Sequence, residues 1–292
     1  MFFLIAFIAA FGYALQMTLL ASFYRKMDTL AAVAYRGLSL GLTMLPLLWW
    51  VPAQDYLRLG AVLPQLALIW LLTALGNWTI ANAVCHLPVG VATALCNGFI
   101  AIMAALAGFF LFQESLLFRQ IAIIAAILLL VFALGWTRSP AAVTISFNIT
   151  AGLRNAFLSG LFLGIGFSLV GGLSRQIHPF LVGYAWELGT GVIAWLWMRS
   201  RTQSSERRSS WTISPHEFGR VMLAGSPTLI GTGLYALSMT MGPVAIATAV
   251  ISTQMVFTTL LARVIYREQL TRAQWILLLA VCAGVMMLKM AS

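Results

Sequence analysis

The chain has 292 residues, of which 61% are hydrophobic and 8% are charged. A soluble domain carries about 25% charged residues, so 17 basic and 7 acidic side chains are too few to cover a water-soluble fold of this size. The composition excludes a soluble enzyme, a disordered chain and a disulfide scaffold, and it indicates a protein that crosses a membrane several times. Because the basic residues lie between apolar runs, we interpret the net charge of +10 as a topology signal and expect no nucleic-acid partner.

A membrane-spanning helix needs about 20 apolar residues. We predict ten spans, at residues 2–22, 30–51, 64–84, 88–111, 119–137, 153–174, 179–198, 220–241, 244–266 and 273–290. The first is interpreted as a retained helix and not a cleaved signal, because it has no basic start and no clear cleavage site. In lipid such long apolar runs satisfy their backbone groups as helices, and the weak alternation of a membrane barrel is absent. The predicted fold class is all-α integral membrane, with ten transmembrane helices.

Residue types that bind metals or perform catalysis are scattered along the chain. Cys85, Cys96 and Cys282 lie in or beside apolar segments without pairing or metal-ligand spacing, and they are interpreted as buried thiols. The sequence also has no phosphate-binding loop and no nucleophile elbow. We therefore predict no cofactor, no metal, no catalytic residue and no direct use of ATP.

The two halves of the chain contain a repeat. Residues 88–94 (PVGVATA) and 243–249 (PVAIATA) share five of seven amino acids, and each segment opens a predicted span with a proline, Pro88 or Pro243. Each span is followed by a glutamate at a turn and, six positions later, by a glutamine: Glu114 and Gln120, then Glu268 and Gln274. The two glutamates are interpreted as structural residues at helix starts, where the helix dipole favours a carboxylate.

The repeat equates spans 1–5 with spans 6–10. Because five is odd, the two copies must cross the membrane in opposite directions, which is chiefly a transporter design. We predict a first five-helix repeat over residues 1–137, a linker over 138–152 and a second repeat over 153–292. The alternative is a duplication that serves the structure alone.

Ten spans in two repeats resemble the drug/metabolite transporter superfamily, specifically its EamA-type members. The resemblance rests on the proline-led spans, the turn glutamates, the glutamine-containing helices that follow, and Arg36 within the motif AYRGL of the second span. One motif differs, since residues 11–13 read FGY where many members have a Trp-Gly pair. The resemblance implies a multi-pass protein of the cell inner (plasma) membrane that transports a small molecule.

Three functions stay open at this point. The leading one is a secondary transporter that moves a small polar or amphipathic metabolite, an amino acid or related compound, out of the cell by alternating access. The second is an importer of a cationic or quaternary amine such as choline. The third is an intramembrane enzyme. No catalytic motif supports it, so we expect a transporter and not an enzyme.

Glu187 differs from the other acidic residues, which lie in predicted loops or turns, because it is near the middle of the seventh span. A charge there costs about 2.5–3.5 kcal/mol on insertion scales, so it must face a cavity or a partner. We predict that it binds a cationic substrate, exchanges protons as a coupling ion, or pairs with Arg36. These two residues lie in equivalent spans, 151 positions apart. Arg36 binds a substrate carboxylate in one interpretation and anchors its helix in the other.

Polar and aromatic side chains inside the spans are candidates for a central substrate-binding cavity. The amides are Asn77, Asn82, Asn97 and Gln254, and the aromatic residues are Tyr13, Trp78, Tyr184, Trp186 and Tyr235. Unpaired amides are costly in hydrocarbon, so these either line a pocket or join helices by hydrogen bonds. The aromatic rings either hold an amine through cation–π contacts or fill space between helices.

Basic residues are distributed unevenly between the two predicted sides of the membrane. The side of the 1–2, 5–6, 7–8 and 9–10 connections has twelve: Arg25, Lys26, Arg138, Arg154, Arg199, Arg201, Arg207, Arg208, Arg220, Arg263, Arg267 and Arg272. The other side has four: Arg58, Arg119, Arg175 and Lys289. The positive-inside rule predicts that the first side is cytoplasmic and that both termini face outward. The family resemblance implies cytoplasmic termini instead.

Overall fold

The computed structural model describes residues 1–113, 117–136, 148–201, 213–266 and 271–291. Every regular element in these ranges is helical, which confirms the all-α prediction for them. The α-helices in chain order are α1 (Phe2–Lys26), α2 (Thr29–Thr43), α3 (Ala53–His86), α4 (Val89–Phe112), α5 (Phe118–Trp136), α6 (Ile149–Ser174), α7 (Pro179–Ser200), α8 (Pro215–Gly225), α9 (Thr228–Met241), α10 (Val244–Ile251), α11 (Gln254–Ile265) and α12 (Arg272–Ala291). A short 3₁₀ segment, Leu45–Trp50, follows α2.

Six stretches of helix among the described residues are long and apolar enough to cross a membrane. They are α1, α3, α4, α6, the pair α8 and α9 (Pro215–Met241), and the pair α10 and α11 (Val244–Ile265). The chain is therefore a multi-pass membrane protein. The other four predicted spans fall on α2, α5, α7 and α12, and α2 is only 15 residues long. The count of ten transmembrane helices stays a prediction.

Prolines define several of the helix boundaries, because proline lacks the N–H group that continues a helix and its fixed backbone angle suits a helix start. Pro88 and Pro243 are the N-cap residues of α4 and α10. Pro227 separates α8 from α9 inside one predicted span. The second predicted span is also interrupted, since α2 ends at Thr43 and the chain continues into the proline-containing 3₁₀ segment.

The third predicted span starts too late, because α3 begins at Ala53 and not at residue 64. Asp55, interpreted as a loop residue, lies in the first turn of α3 and is buried. Its Oδ2 accepts a hydrogen bond from the backbone N–H of His178 at 3.1 Å. One carboxylate thus connects the start of α3 to the start of α7, a long-range contact that local pattern cannot predict.

Close contacts between glycines allow two helices to meet at their backbones. A Cβ atom added to Gly37 of α2 would lie 2.4 Å from the Cα atom of Gly191 in α7. Around this crossing, α6 packs against α3 and α4, while α1 packs against α9 and α11, and α5 packs against α12. The arrangement encloses a cavity to which α1, α2, α3, α4, α6, α7, α10 and α11 all contribute residues.

Candidate functional site

The cavity has a volume of about 50 Å³. It is lined by Tyr13, Gln16, Met17, Tyr24, Arg36, Asn77, Ile80, Asn97, Ile100, Leu163, Phe167, Trp186, Glu187, Ile251 and Gln254. A cavity of about 10–15 Å³ already admits one water molecule, so in this conformation the cavity has room for a few waters. Its wall combines apolar side chains with a charged pair, several amides and three hydroxyl- or indole-bearing rings.

Arg36 and Glu187 form a buried ion pair at the cavity. The Nη1 atom of Arg36 lies 3.2 Å from Oε2 of Glu187, and Nη2 donates a hydrogen bond of 3.2 Å to Oε1. Only 3% and 2% of the two side chains is exposed. The backbone contact of α2 and α7 at Gly37 and Gly191 brings the two helices close enough for this pair. The structure therefore places opposite charges in direct contact at the junction of the two halves of the chain.

Three neighbouring side chains orient the ion pair. Nη1 of Arg36 also donates to Oδ1 of Asn77 at 3.2 Å. The hydroxyl of Thr232 donates to Oε1 of Glu187 at 2.7 Å and lies 2.9 Å from the hydroxyl of Tyr13. The carboxylate of Glu187 is thus connected to α9 and, through Thr232, to α1. Any change in the position of α2, α7 or α9 would break some of these hydrogen bonds.

Aromatic side chains pack around the same region. The ring of Phe167 lies edge-on to Trp186 and Tyr235, with centroid distances of 5.1 and 5.4 Å. Tyr13 is edge-on to Tyr235 at 6.1 Å. The hydroxyl of Tyr235 lies 2.8 Å from that of Thr248, behind the cavity wall. The aromatic cluster supports the cavity from one side and presents Tyr13, Phe167 and Trp186 to it.

Amides form a second polar group on the cavity wall. Nε2 of Gln254, the first residue of α11, donates a hydrogen bond to Oδ1 of Asn97. Nδ2 of Asn97 in turn donates to the carbonyl of Thr93 at 2.8 Å within α4. Gln16 of α1 also lines the cavity with 5% of its surface exposed, and its side chain forms no hydrogen bond with the described part of the chain.

Several polar atoms next to the cavity lack a hydrogen-bond partner in the described residues. They include Nε of Arg36, Oε2 of Glu187 and Nε1 of Trp186. An unsatisfied buried donor or acceptor costs about 1–3 kcal/mol. These atoms have almost no accessible surface, so a solute can reach them only when the surrounding helices move apart.

A sequence comparison identifies the family of this membrane protein. Residues 150–290 match the model of the EamA-like transporter family. This match over the second half of the chain supports membership in that family. The match suggests a membrane transporter of the EamA type within the drug/metabolite transporter superfamily, and this family context implies a small-molecule substrate. No curated protein matches the chain in sequence.

A solved crystal structure has a fold similar to that of this EamA-like chain. The two superpose with a TM-score of 0.70, over 97% of this chain and 94% of the other, at 17% sequence identity. At that identity the likeness concerns the fold alone. The similarity extends over both halves, whereas the family match covers the second half.

The structure brings seven of the predicted site residues of the EamA-like chain to one cavity: Tyr13, Arg36, Asn77, Asn97, Trp186, Glu187 and Gln254. It places Trp78 elsewhere, edge-on to Trp197 at 5.0 Å and beneath the guanidinium of Arg201 at 5.6 Å. Asn82 accepts a hydrogen bond from Thr29 and is also outside the cavity wall. Tyr184 is half-buried and does not line the cavity, and Tyr235 lies one layer behind it.

Sequence reasoning missed several residues of the site. Gln16 is a lone amide in a long apolar helix, the same signal that identified Asn97, and it was not singled out. Thr232 and Phe167 carry no signal of their own, because threonine and phenylalanine are ordinary residues of apolar helices. Their contact with Glu187 and Trp186 depends on how α6, α7 and α9 pack.

Glu114 and Glu268, predicted as structural turn residues, lie outside the described residues. The glutamines that follow them have matching roles in the structure. Oε1 of Gln120 accepts from the backbone N–H of Leu117, and Oε1 of Gln274 accepts from that of Thr271, at 2.9 and 2.8 Å. Both amides satisfy a free N–H group at the start of a helix.

Proposed function

We propose that this chain is a secondary transporter of an amino acid or a related zwitterionic metabolite, which it exports by alternating access. The single observation that carries the proposal is the buried Arg36–Glu187 pair on the cavity wall. We further propose that it acts in the cell inner (plasma) membrane and performs no enzymatic reaction. Family membership supplies the transport activity, and the charges of the cavity supply the substrate class.

The charge balance of the cavity favours a zwitterion. Of the described residues that line it, Arg36 and Glu187 carry the formal charges. A cation that binds Glu187 alone would leave the guanidinium of Arg36 buried without a counter-charge, and an anion would do the same to Glu187. Breaking one side of a buried pair in this way is strongly unfavourable. A zwitterion pairs its carboxylate with Arg36 and its ammonium with Glu187, so both charges keep a partner.

Arginine suits the carboxylate end of such a substrate. Its planar guanidinium holds a carboxylate with two parallel hydrogen bonds, a geometry that lysine lacks. The Nε–H of Arg36 is already without a partner in the described residues. A substrate carboxylate that binds Arg36 would therefore give this donor a partner.

The size of the cavity supports a mechanism with moving helices. Pockets that bind small molecules usually have about 300–1,000 Å³, whereas this cavity has about 50 Å³. An amino acid fits only if the helices around the cavity separate. Alternating access supplies such a movement, because each half of an inverted repeat opens the site toward one side of the membrane.

We propose that the movement is built on ten helices in two inverted repeats, residues 1–137 and 153–292, joined by the linker 138–152. Helix contacts support this division. α3 packs against α6 in the way that α9 packs against α1, and α4 packs against α6 as α11 packs against α1. A two-fold relation between the halves would generate both pairs of contacts.

Two arginines support the same division. Arg25 at the end of α1 donates from Nε and Nη2 to the carbonyls of Val84 and Leu87, each at 3.3 Å. Arg175, just after α6, donates from Nε and Nη2 to the carbonyls of Met239 and Gly242, each at 3.1 Å. The acceptors are offset by 155 residues in both cases, as Pro88 and Pro243 are. Each arginine thus caps the equivalent helix end in its own half.

The test is solute uptake by purified protein in liposomes, screened with radiolabelled amino acids, amines and nucleosides. A matched comparison uses serine, ethanolamine, which is serine without its carboxylate, and choline. We expect serine to compete for uptake about tenfold better than ethanolamine, because only serine engages both charges. Equal competition by serine and ethanolamine would contradict the zwitterion proposal. Reversed assays, with solute loaded inside the vesicles, determine the direction.

A second candidate, import of a cationic or quaternary amine such as choline, is favoured by one observation. Glu187 lies beside Trp186 and is hydrogen-bonded through Thr232 to Tyr13, so an acid and aromatic rings share one part of the wall. Aromatic faces contribute about 0.5–2 kcal/mol each to holding a cation. Choline competing better than serine in the same assay would select this candidate. Release of a product from lipid without any solute movement would instead select an intramembrane enzyme.

A further inference from the structure

The cavity has two chemically different walls. Arg36 and Glu187 come from α2 and α7, which pack against each other. Asn97 and Gln254 come from α4 and α11, which also pack against each other. Helices α1, α3, α6 and α10 contribute the rest of the lining. A solute whose charged groups lie at Arg36 and Glu187 therefore extends the rest of its structure toward the wall formed by α4 and α11.

The part of the wall formed by α4, α10 and α11 contains amides and no charged side chain. Its described lining residues are Asn97, Ile100, Ile251 and Gln254, and Gln16 of α1 adds a third amide. The three amides are deeply buried, with 5%, 5% and 8% of Gln16, Asn97 and Gln254 exposed. We call Gln16, Asn97 and Gln254 the amide group.

The amide group has unused hydrogen-bonding capacity. Asn97 and Gln254 share one hydrogen bond, which leaves the carbonyl oxygen of Gln254 without a partner among the described residues. Gln16 uses neither its carbonyl nor its N–H₂ group within the same part of the chain. Burying an amide without a partner is costly, and hydrophobic residues of similar size would fill these positions without that cost. Both glutamines line the cavity, so their unpaired amide atoms are available to a polar group that enters it.

We propose that the amide group recognises a neutral hydrogen-bonding group on the transported solute. Amides both donate and accept, so they match a hydroxyl or a carboxamide. A charged group is excluded, because the amide wall has no counter-charge. The inference rests on the proposed function: zwitterions with a hydroxyl or carboxamide side chain are selected over apolar zwitterions of equal size.

The expected selectivity follows from unsatisfied amides. A site built to hydrogen-bond a substrate rejects an analogue that lacks the bonding group, because its own polar atoms then stay buried and unpaired. An apolar pocket would show the opposite preference. Amino acids of nearly equal shape can distinguish an amide site from an apolar pocket. Threonine and valine form one such pair, and asparagine and leucine form another.

The experiment measures competition by these four amino acids for uptake into liposomes, and their stabilisation of the purified protein against heat. We expect threonine and asparagine to compete at least about tenfold better than valine and leucine. Gln16→Met and Gln254→Met keep the side-chain length and remove the amide. In both variants the preference should fall to about threefold or less, with valine and leucine unchanged or improved.

Asn82→Leu is the matched control, since it removes a half-buried amide of α3 that lies outside the cavity wall. Its selectivity should equal that of the parent protein. If all four amino acids compete equally in the parent, the amide inference is wrong while the zwitterion proposal stands. If valine and leucine compete better, the wall acts as an apolar pocket and the inference is likewise wrong. If none of the four binds or competes, the proposed function fails and the inference fails with it.

Discussion

Arg36 and Glu187 concentrate opposite charges in a chain that has few ionised residues. Both side chains are almost fully buried, and they are held by Asn77 and Thr232 as well as by each other. A buried ion pair gains little net stability when compared with an apolar pair, because both charges lose their water. Removing one partner lowers the stability of the fold far more than replacing both partners by apolar residues. The proposed function gives such a pair a use, because a zwitterionic substrate would supply a new partner to each charge.

Single and double substitutions test the role of the pair in stability. Glu187→Gln and Arg36→Gln each leave one charge buried alone, so each should destabilise the fold by about 3–5 kcal/mol. The double variant contains neither charge and should recover most of the folded yield, without recovering transport. Folded yield after size exclusion and the thermal unfolding midpoint measure stability.

Arg58→Gln is the control for this series. Arg58 approaches Asp55 at 3.7 Å, but 59% of its side chain is exposed, and such surface pairs contribute about 0–1 kcal/mol. A double variant as unstable as the single variants would show that stability depends on Asn77 or Thr232 contacts and not on the charges.

Glu187 also gives the proposed transport a route to proton coupling. It is the acidic residue of the described cavity wall, so alternating access would expose its carboxylate to each side of the membrane in turn. We expect uptake by the parent protein to depend on an imposed pH gradient and Glu187→Gln to lose that dependence. The measurement is initial uptake rate with and without the gradient, on size-exclusion-purified variant. A variant with weaker substrate affinity and an unchanged response to the gradient would assign Glu187 to binding alone.

The glycine contact of α2 with α7 determines whether the two charged residues can meet. At Gly37 and Gly191 a Cβ atom would lie 2.4 to 2.5 Å from backbone atoms of the opposite helix, which cannot move aside as a flexible side chain does. The separation of these helices therefore sets the Arg36–Glu187 distance. The contact between α2 and α7 at these glycines therefore determines the geometry of the charged part of the site.

We predict that Gly37→Ala and Gly191→Ala each lower stability by about 1–3 kcal/mol, as overpacked positions do. Both should also reduce uptake of any transported solute, because the ion pair is displaced. Gly60→Ala and Gly219→Ala are controls, since nothing lies within 4 Å of a Cβ atom at either position. The thermal unfolding midpoints of all four variants test this prediction. Equal stability of Gly37→Ala and Gly60→Ala would refute the proposed tight contact between α2 and α7.

The helical elements were largely predictable because a run of about 20 apolar residues in lipid has one stable backbone form. Proline positions predicted the starts of α4 and α10 for the same local reason. The breaks at Pro227 and after Thr43 were missed, since a hydropathy window averages over them. The long start of α3 was missed because residues 53–63 are too polar to count as a span.

The property of the site that was hardest to predict is which side chains of each helix point into the cavity. Asn77 lines the cavity while its neighbour Trp78 packs on Trp197, since consecutive helical residues point about 100° apart. In a soluble helix the apolar stripe would define the inward face. A helix that is apolar on all sides has no such stripe, so Asn82 and Tyr184 were expected in the cavity with the others.

At the scale of the whole molecule, the two halves repeat their helix contacts, their proline-led helices and their arginine caps. In the proposed inverted repeat, Arg25 and Arg175 occupy equivalent positions, which would lie on opposite sides of the membrane. Under that proposal, one basic residue on each side is engaged with helix carbonyls. This pair contributes nothing to a difference in charge between the two sides.

The remaining basic residues define an orientation that can be tested. Without Arg25 and Arg175, the side of the 1–2, 5–6, 7–8 and 9–10 connections keeps eleven of its twelve cations and the other side keeps three of four. Short loops with excess Lys and Arg stay in the cytoplasm, so we predict that both termini face away from it, against the arrangement that the family resemblance implies. Fusions after Ser292 should give alkaline phosphatase activity and no fluorescence from a protein that folds only in the cytoplasm. Because ten spans place both termini on one side, the same result is expected for a fusion before Met1, and opposite results at the two ends would disprove the even number of spans.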